Sequence, residues 1–336
     1  MKDKCLIIIL GHARASELTW DSFKSNLFDE LNADLALCVG ESEDNNDSNP
    51  YWKHAKYKWT SPEYENYADG YDKFQKELGG TNNWRELLDF APQYVAPFLG
   101  GCYDEYHKPI ASAGIGLYYR MLTLRYIKNL KLDTKYDRFL ITRSDFIWKS
   151  KHPSLKKLNA NKIWISFGET YGGVTDRYAL LNNKDVFVYL DLLRPIVTDH
   201  KTLKSKLLKF DKKKRINMES YIKFHLKDNN VYKRVRFIPY YMFSVREKKT
   251  VGRWSKGTYD KKLECYVKYP DEKTRADIYS VFFPKIGLLN SFKLYPYNLA
   301  VYYTIEITAK LKRRLFNQKR LKHKTGTLKE DKLKLP

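Results

Sequence analysis

The chain has 336 residues, and its 62 lysines and arginines against 39 aspartates and glutamates give a formal net charge of +23 at pH 7. This charge is uneven, because residues 1–110 contain 11 basic and 19 acidic side chains whereas the rest of the chain contains 51 and 20. The four cysteines show no CxxC spacing, and no apolar run approaches the roughly 20 residues of a membrane span, which excludes a disulfide framework, a structural zinc site and a spanning segment.

The first elements follow the pattern of a nucleotide-binding α/β sheet. Residues 5–10 form a continuous apolar, β-branched run, which predicts a strand buried on both faces. Ser16 is expected to cap the next helix, and residues 33–39 predict a second strand. The core face of that helix is predicted to carry Trp20, Phe23, Leu27 and Leu31.

The turn between this first strand and helix is a candidate phosphate site. Gly11, His12 and Arg14 are expected beside the helix N-terminus, whose free N–H groups favour anions. Neither a GxGxxG fingerprint nor a P-loop lysine is present, which argues against a dinucleotide or P-loop site. An ordinary turn with a solvated arginine explains the same residues equally well.

The middle of the chain is predicted to continue the sheet after an irregular region. Residues 51–110 are rich in Trp, Tyr and Gly and predict only short helices near 70–78 and 84–90. A longer amphipathic helix is expected at 112–130, followed by an apolar strand at 138–142.

The strand at 138–142 ends at a polar triplet, Arg143-Ser144-Asp145. Ligands of open α/β sheets bind at the carboxyl ends of the strands. At such a position Asp145 could hold a divalent cation that bridges a diphosphate, and Arg143 could offer a planar fork to phosphate oxygens. The alternative is an aspartate that only caps the following turn.

A glycine-containing stretch follows a further strand predicted at 162–167. Paired glycines at 172–173 allow close approach of the backbone to a ligand. Asp176 and Arg177 then precede a helix predicted from about residue 184 to 193. Asp176 could cap that helix, and Arg177 could face a phosphate, so capping and ligand binding stay open here.

A Lys-rich stretch, a helix and a strand are predicted before residue 245. Residues 199–215 are Lys-rich and amphipathic, residues 217–227 are helical, and residues 231–241 alternate as an antiparallel strand does. Glu219 in the helix could act as a general base toward an acceptor hydroxyl. An exposed glutamate in the first helical turn, favoured by the helix dipole, is the alternative.

The domain limits expected from the sequence are a core at 1–245, an extension packing on it at 246–309, and a tail at 310–336. The tail contains 11 basic residues and two acidic ones, with leucines interleaved. It could lie on an anionic membrane as an interfacial helix or serve as a disordered solubilising segment.

Three stretches of the chain resemble glycosyltransferases of the GT-A type, including the WavE-like lipopolysaccharide synthesis proteins of bacteria and large viruses. They are residues 6–14, 136–145 and 172–182, followed by Glu219 in a helix. The resemblance covers roughly residues 4–245. It implies an α/β, GT-A-like (Rossmann-like) mixed sheet flanked by helices, to which we add a basic helical C-terminal extension. It also implies a nucleotide-sugar donor and a glycan or lipid-linked glycan acceptor.

The same resemblance implies roles for individual residues. Asp145 would stand at the metal-binding DxD signature for Mg²⁺ or Mn²⁺, but the residue two positions earlier is Arg143, which leaves metal dependence open. Asp176 and Arg177 would line the sugar pocket. The residues expected to bind the donor are Gly11, His12, Arg14, Arg143, Ser144 and Arg177. The residues expected to be catalytic are Asp176 as the first choice of base, Glu219 as the second, and Asp145.

The sequence therefore favours a glycosyltransferase of surface polysaccharide or lipopolysaccharide synthesis, cytoplasmic and peripheral on the inner face of the cell membrane. The basic tail would contact that anionic surface. No nucleic-acid partner is expected, because the positive charge is not interleaved with a known RNA or DNA module. The alternatives are a basic protein that binds single-stranded nucleic acid, a sulfo- or phosphotransferase on a similar sheet, and a non-enzymatic partner in glycan export.

Overall fold

The computed structural model describes residues 3–80, 83–89, 97–108, 111–212, 216–249 and 256–286. Residues 282–286 are described by their backbone alone. The chain divides into a compact unit, Met1–Ser280, and a second unit, Val281–Pro336. The described part of the predicted extension, up to residue 280, belongs to the first unit. The predicted tail at 310–336 lies outside the described residues.

The described part of the first unit contains two sheets. Its strands are β1 (Cys5–Gly11), β2 (Asp34–Gly40), β3 (Tyr57–Ser61), β4 (Arg138–Thr142), β5 (Phe146–Trp148), β6 (Ile163–Phe167), β7 (Ala179–Asn182), β8 (Val235–Pro239), β9 (Met242–Arg246), β10 (Thr258–Asp260) and β11 (Cys265–Val267). The larger sheet has seven strands in the order β3-β2-β1-β4-β7-β6-β8, and the smaller one has the order β10-β11-β9-β5.

The helices flank the larger sheet or follow its strands. They are α1 (Ser16–Phe23), α2 (Asp29–Leu31), α3 (Pro50–His54), α4 (Ala68–Glu77), α5 (Ala113–Asn129), α6 (Asp185–Leu190), α7 (Arg194–Thr198), α8 (His200–Phe210), α9 (Met218–Asp228) and α10 (Pro270–Ile286). A π-helical turn, Lys24–Phe28, joins α1 to α2. No helix within the described residues is both long and apolar enough to cross a membrane.

The pairing of the larger sheet is mixed. Strands β3, β2, β1 and β4 run parallel, β7 is antiparallel to both β4 and β6, and β8 is parallel to β6. This sheet with its flanking helices confirms the predicted α/β class and is consistent with a GT-A-like fold. The carboxyl ends of β1 and β4 lie side by side, with Ile9 paired to Thr142. The turns that follow these two strands therefore meet at one edge of the sheet.

The core explains why the apolar patterns form these elements. Residues 6–9 of β1 have no exposed surface, as expected for a central parallel strand. Helix α5 buries Leu117, Met121, Leu124 and Ile127 on one face, as its spacing predicts. Each such side chain contributes about 1.5–3 kcal/mol through burial.

The start of the first helix differs from the prediction. Ser16 is the first helical residue, and Ala15 precedes it in the left-handed region with φ of 57° and no side-chain cap. The turn is fixed from elsewhere, because the Ser144 hydroxyl after β4 donates to the carbonyl oxygens of His12 and Arg14 at 2.8 and 3.0 Å. The predicted capping role of Ser16 was therefore wrong, although Trp20 and Phe23 are buried as expected.

The segment after Asp176 also differs from the prediction. Residues 179–182 form β7 and pair antiparallel with β4, where no strand was predicted. Helix α6 begins at Asp185, close to the predicted start near 184, but ends at Leu190 and not at 193. A short apolar run buried on both faces has no period that separates a strand from a helix start. Asp176 therefore caps no helix, and Asn182 accepts from the backbone N–H of Asp185 at 2.7 Å instead.

The sheet edges were predicted least well. Strand β8 pairs parallel to β6, whereas the alternating pattern of 231–241 predicted antiparallel pairing. The burial of this edge strand does not follow the alternation, because Val235 and Ile238 are buried whereas Phe237 is 38% exposed. Strands β3 and β5 were missed, because five and three residues are too few for a clear period.

Candidate functional site

A cavity of about 530 Å³ opens at the carboxyl ends of β1 and β4. Its walls come from the turn after β1, the N-terminal half of α5, the end of β4, and the segments around residues 246 and 268. This is the edge at which open α/β sheets bind their ligands. The side chains of its lining that are charged or titratable are His12, Arg14, Tyr119, Arg120, Arg143, Asp145, Asp176, Arg246 and Lys268.

Asp145 is buried at the floor of this cavity and holds two arginines. Arg143 makes a two-point contact, from Nε to Oδ1 at 2.9 Å and from Nη2 to Oδ2 at 2.5 Å. Arg14 adds a third bond from Nη2 to Oδ2 at 3.2 Å. Burial raises the pKa of Asp145, but the charges of Arg143 and Arg14 outweigh it and hold that pKa well below its ordinary value. The carboxylate is therefore ionised and fixes both guanidinium groups.

Some of the residues predicted to bind the donor line the cavity, and Ser144 instead holds the turn after β1 in place. Gly11 and His12 line the cavity, and Gly11 has a φ of 93°, which favours glycine. His12 lies 3.7 Å from Glu63 (Nε2 to Oε1), and burial lowers its pKa more than Glu63 raises it. Ser144 is buried, ties the turn to the end of β4, and is not part of the cavity lining. A contact of Ser144 with a ligand stays a prediction.

Two cations that sequence reasoning missed complete the cavity wall. Arg246 ends β9, and Lys268 follows β11, the strand that pairs with β9. Burial and then the charge of Arg143 lower the pKa of Lys268 to about 7, although Asp145 opposes this shift. Burial and then Arg14 likewise lower the pKa of Arg246. These cations repel one another, and an anion in the cavity would relieve that repulsion.

Arg120 of α5 is a further missed residue. It is 3% exposed, and its guanidinium donates from Nη1 to the Gly116 carbonyl at 3.1 Å and from Nη2 to the Asp176 carbonyl at 2.9 Å. Its Nε has no hydrogen-bond partner within the described residues. The side chain therefore brings a buried positive charge to the cavity wall and fixes the backbone at Asp176.

The two predicted bases, Asp176 and Glu219, lie close enough to influence each other. Burial, followed by the negative charge of Asp176, raises the pKa of Glu219 to about 8. Asp176 lines the cavity, whereas Glu219 is not part of its lining. Glu219 is fixed in the first turn of α9 by the cap at Asn217, and its carbonyl accepts from the Val174 N–H at 3.1 Å. At neutral pH Glu219 therefore holds a proton beside Asp176.

Arg177 lies outside the cavity lining, in a buried network of charges. Its guanidinium pairs with Glu272 of α10 and lies 3.8 Å from Glu169 (Nη2 to Oε2). It also donates to the Tyr240 hydroxyl at 2.8 Å and packs over the Tyr269 ring. The predicted contact of Arg177 with a donor phosphate stays a prediction.

The residues around Asp145 do not fit the divalent cation that the sequence suggested. Magnesium requires several oxygen ligands in octahedral geometry. Both oxygens of Asp145 accept from arginines, and Lys268 and Arg246 add further positive charge near this carboxylate. Within the described ranges, no group of three or more His, Cys, Asp or Glu side chains could hold a metal ion.

Comparison with known proteins adds a distant structural likeness. No protein-family model matches the chain, and no curated protein sequence matches it either. Among solved structures, the chain is similar to the crystal structure of mouse xyloside xylosyltransferase 1 in its apo form. The TM-score is 0.36 with 11% identity, over 71% of this chain and 85% of that one. A likeness at this level does not identify a function, so the functional argument depends on the cavity itself.

Replacing Gly173 by alanine is expected to destabilise the loop that carries Asp176. A Cβ at position 173 would lie 1.8 Å from the Glu219 carbonyl oxygen, which is backbone and cannot swing away. Such overpacking costs about 1–3 kcal/mol. The adjacent Gly172→Ala is the matched control, because its Cβ meets nothing within 4 Å and only its φ of 88° is strained. Equal thermal stability of the two variants would contradict this close approach.

The stability of the protein is expected to depend on pH through Glu219. Its pKa is about 8 in the folded chain against 4.5 ordinarily, so the unfolded chain releases this proton first as pH rises. The contribution of Glu219 is thus greatest below pH 4.5 and is lost progressively up to about pH 8. Denaturant unfolding of the wild type and of Glu219→Gln should be compared at pH 5 and pH 8. The wild type loses stability through Glu219 over this range, so the stability of the variant relative to the wild type should be higher at pH 8 than at pH 5. A constant difference between the two proteins would refute the raised pKa.

Proposed function

We propose that this chain is a glycosyltransferase that takes its sugar from a nucleotide-sugar donor. The observation that carries the proposal is the cavity at the ends of β1 and β4, where several cations surround one buried carboxylate and Asp176 stands on the wall. An excess of positive charge at this edge suits a leaving phosphate. A carboxylate on the same wall suits the removal of a proton from an acceptor hydroxyl.

The reaction would divide between these two sets of groups. The acceptor oxygen forms a bond to the anomeric carbon, the bond from that carbon to the phosphate oxygen breaks, and its electron pair leaves with the phosphate. Arg14 and Arg143 would stabilise the charge that develops on the phosphate. Asp176 would take the acceptor proton. Glu219 is the second candidate for this role, in its ionised form, which dominates above its pKa of about 8. The oxocarbenium-like transition state resembles that of glycoside hydrolysis.

A thermal-shift screen against UDP-, GDP-, CMP- and dTDP-sugars tests the proposal. A true donor at 100 times its dissociation constant stabilises the folded chain by about 2.7 kcal/mol, which is a visible shift. The variant Arg143→Gln should lose most of this shift. No stabilisation by any nucleotide sugar, together with salt-dependent binding of single-stranded DNA, would instead favour the nucleic-acid alternative.

The acceptor is proposed to be a glycan or lipid-linked glycan of surface polysaccharide or lipopolysaccharide synthesis. Residues 310–336 supply basic charge that would attract an anionic membrane face, by about 1 kcal/mol for each lysine or arginine near it. Truncation after Ala309 should weaken binding to anionic vesicles and leave binding to neutral vesicles unchanged. Equal binding of both chains to anionic vesicles would remove the tail from this role.

A further inference from the structure

We propose that this cavity binds the diphosphate of its donor through side-chain cations in place of a divalent metal ion, with Arg143, Arg246 and Lys268 as its main ligands. The inference rests on the proposed function for the identity of the donor. Its physical basis is the arrangement of charge in the cavity: the bonds of Asp145, the excess of basic side chains, and the backbone that carries Arg246 and Lys268.

The first observation is that Asp145 is already engaged. Its Oδ1 accepts from Arg143, and its Oδ2 accepts from both Arg143 and Arg14. A magnesium ion bound there at about 2.0–2.1 Å would compete with these bonds for the carboxylate charge and lie among like charges. The carboxylate therefore serves as the counter-ion and positioning group of two arginines.

The second observation is the balance of charge in the lining. Five lining side chains, Arg14, Arg120, Arg143, Arg246 and Lys268, are basic, against the two carboxylates Asp145 and Asp176. The two phosphates of a nucleotide sugar carry one negative charge each, and breaking the bond to the sugar adds a third. An anion in the cavity would favour the protonated form of Lys268. The excess of basic groups over carboxylates would then match the charge of the leaving diphosphate.

The third observation is that the added cations are held by ordered backbone. Arg246 pairs in register with Tyr266 across β9 and β11, and the N–H of Lys268 donates to the Ser244 carbonyl at 2.9 Å. Ser244 in turn donates from its backbone and hydroxyl to Glu272 of α10, at 2.8 and 2.7 Å. The backbone from which these two cations extend is thus fixed beside the cavity, which reduces the reorganisation needed when charge develops there.

Calorimetric titration of the full chain with inorganic pyrophosphate tests the inference apart from any sugar chemistry. Pyrophosphate and UDP are each titrated in excess EDTA and then with Mg²⁺ or Mn²⁺. We expect the dissociation constant of pyrophosphate measured in EDTA to agree within about twofold with that measured in the presence of Mg²⁺ or Mn²⁺. Absence of binding in EDTA, or a gain above about tenfold on adding metal, would overturn it.

Variants locate the binding. Lys268→Met and Arg246→Gln should each weaken pyrophosphate binding in EDTA by at least about tenfold, while the exposed Lys262→Met should leave it unchanged. Lys268→Met should also keep or raise the melting temperature, because it removes a crowded cation. Metal-free binding that survives both cavity variants lies elsewhere on the chain and overturns the inference. Metal-free pyrophosphate binding that is lost in both, without binding or turnover of any nucleotide sugar, upholds the cation site and refutes the proposed function.

Discussion

Replacing Asp145 by asparagine is expected to reduce sugar transfer by roughly 100-fold or more, the size of effect seen when one preorganised electrostatic contact is lost. Asparagine keeps the shape of the side chain but removes the charge that holds Arg143 and Arg14. Both guanidinium groups would then lose the fixed orientation that a developing phosphate charge requires. Turnover under saturating donor measures this effect, with circular dichroism to show that the chain is folded.

The same variant separates two roles for Asp145. If Asp145 positions the arginines, Asp145→Asn lowers kcat. Pyrophosphate then binds as tightly as before, because the loss of a negative charge from the cavity does not oppose the binding of an anion. A metal ligand predicts that diphosphate binding is lost together with its dependence on Mn²⁺. Asp47→Asn is a suitable control, since that side chain is 82% exposed and lies outside the cavity lining. Unchanged turnover in Asp145→Asn would remove this residue from the site.

Replacing Asp176 by asparagine is expected to lower transfer by about 10²- to 10⁴-fold, the usual contribution of a general base. The backbone at this position should stay in place, because Arg120 holds the Asp176 carbonyl and the substitution leaves that contact intact. Donor binding should therefore change little while transfer to the acceptor is lost. Single-turnover transfer and donor affinity are the two measurements.

Glu219→Gln is the matched comparison for this variant. Below pH 8 Glu219 is largely protonated, so the uncharged glutamine should cost much less than the change at Asp176. The opposite ranking, with near-normal transfer in Asp176→Asn and a large loss in Glu219→Gln, would assign the base to Glu219. Equal, small losses in both variants would remove the pair from the chemistry.

The parts of the fold that the sequence predicts are those encoded locally. The apolar run of β1 and the face of α5 each carry one clear period, and both elements are present with the expected burial. Strand β7 was mistaken for the approach to a helix, because its apolar run has no period of its own. Local pattern therefore gave the centre of the sheet and failed at its short and edge strands.

The same reasoning explains which parts of the cavity could be predicted from the sequence. The turn at Gly11 and the triplet ending at Asp145 follow apolar strands, and parallel pairing brings their ends together. Arg246 and Lys268 carry no motif, because they reach the cavity only through the pairing of β9 with β11. Arg177 shows the converse, since its partner Glu272 lies 95 residues further along the chain and no local pattern reveals it.

The cavity draws its cations from widely separated parts of the chain, from Arg14 in the first turn to Lys268 just before α10. During synthesis the cavity therefore lacks Arg246 and Lys268 until the chain has grown beyond residue 268. A nascent chain, or a product of premature termination before this point, should therefore contain most of the sheet but fail to retain phosphate ligands.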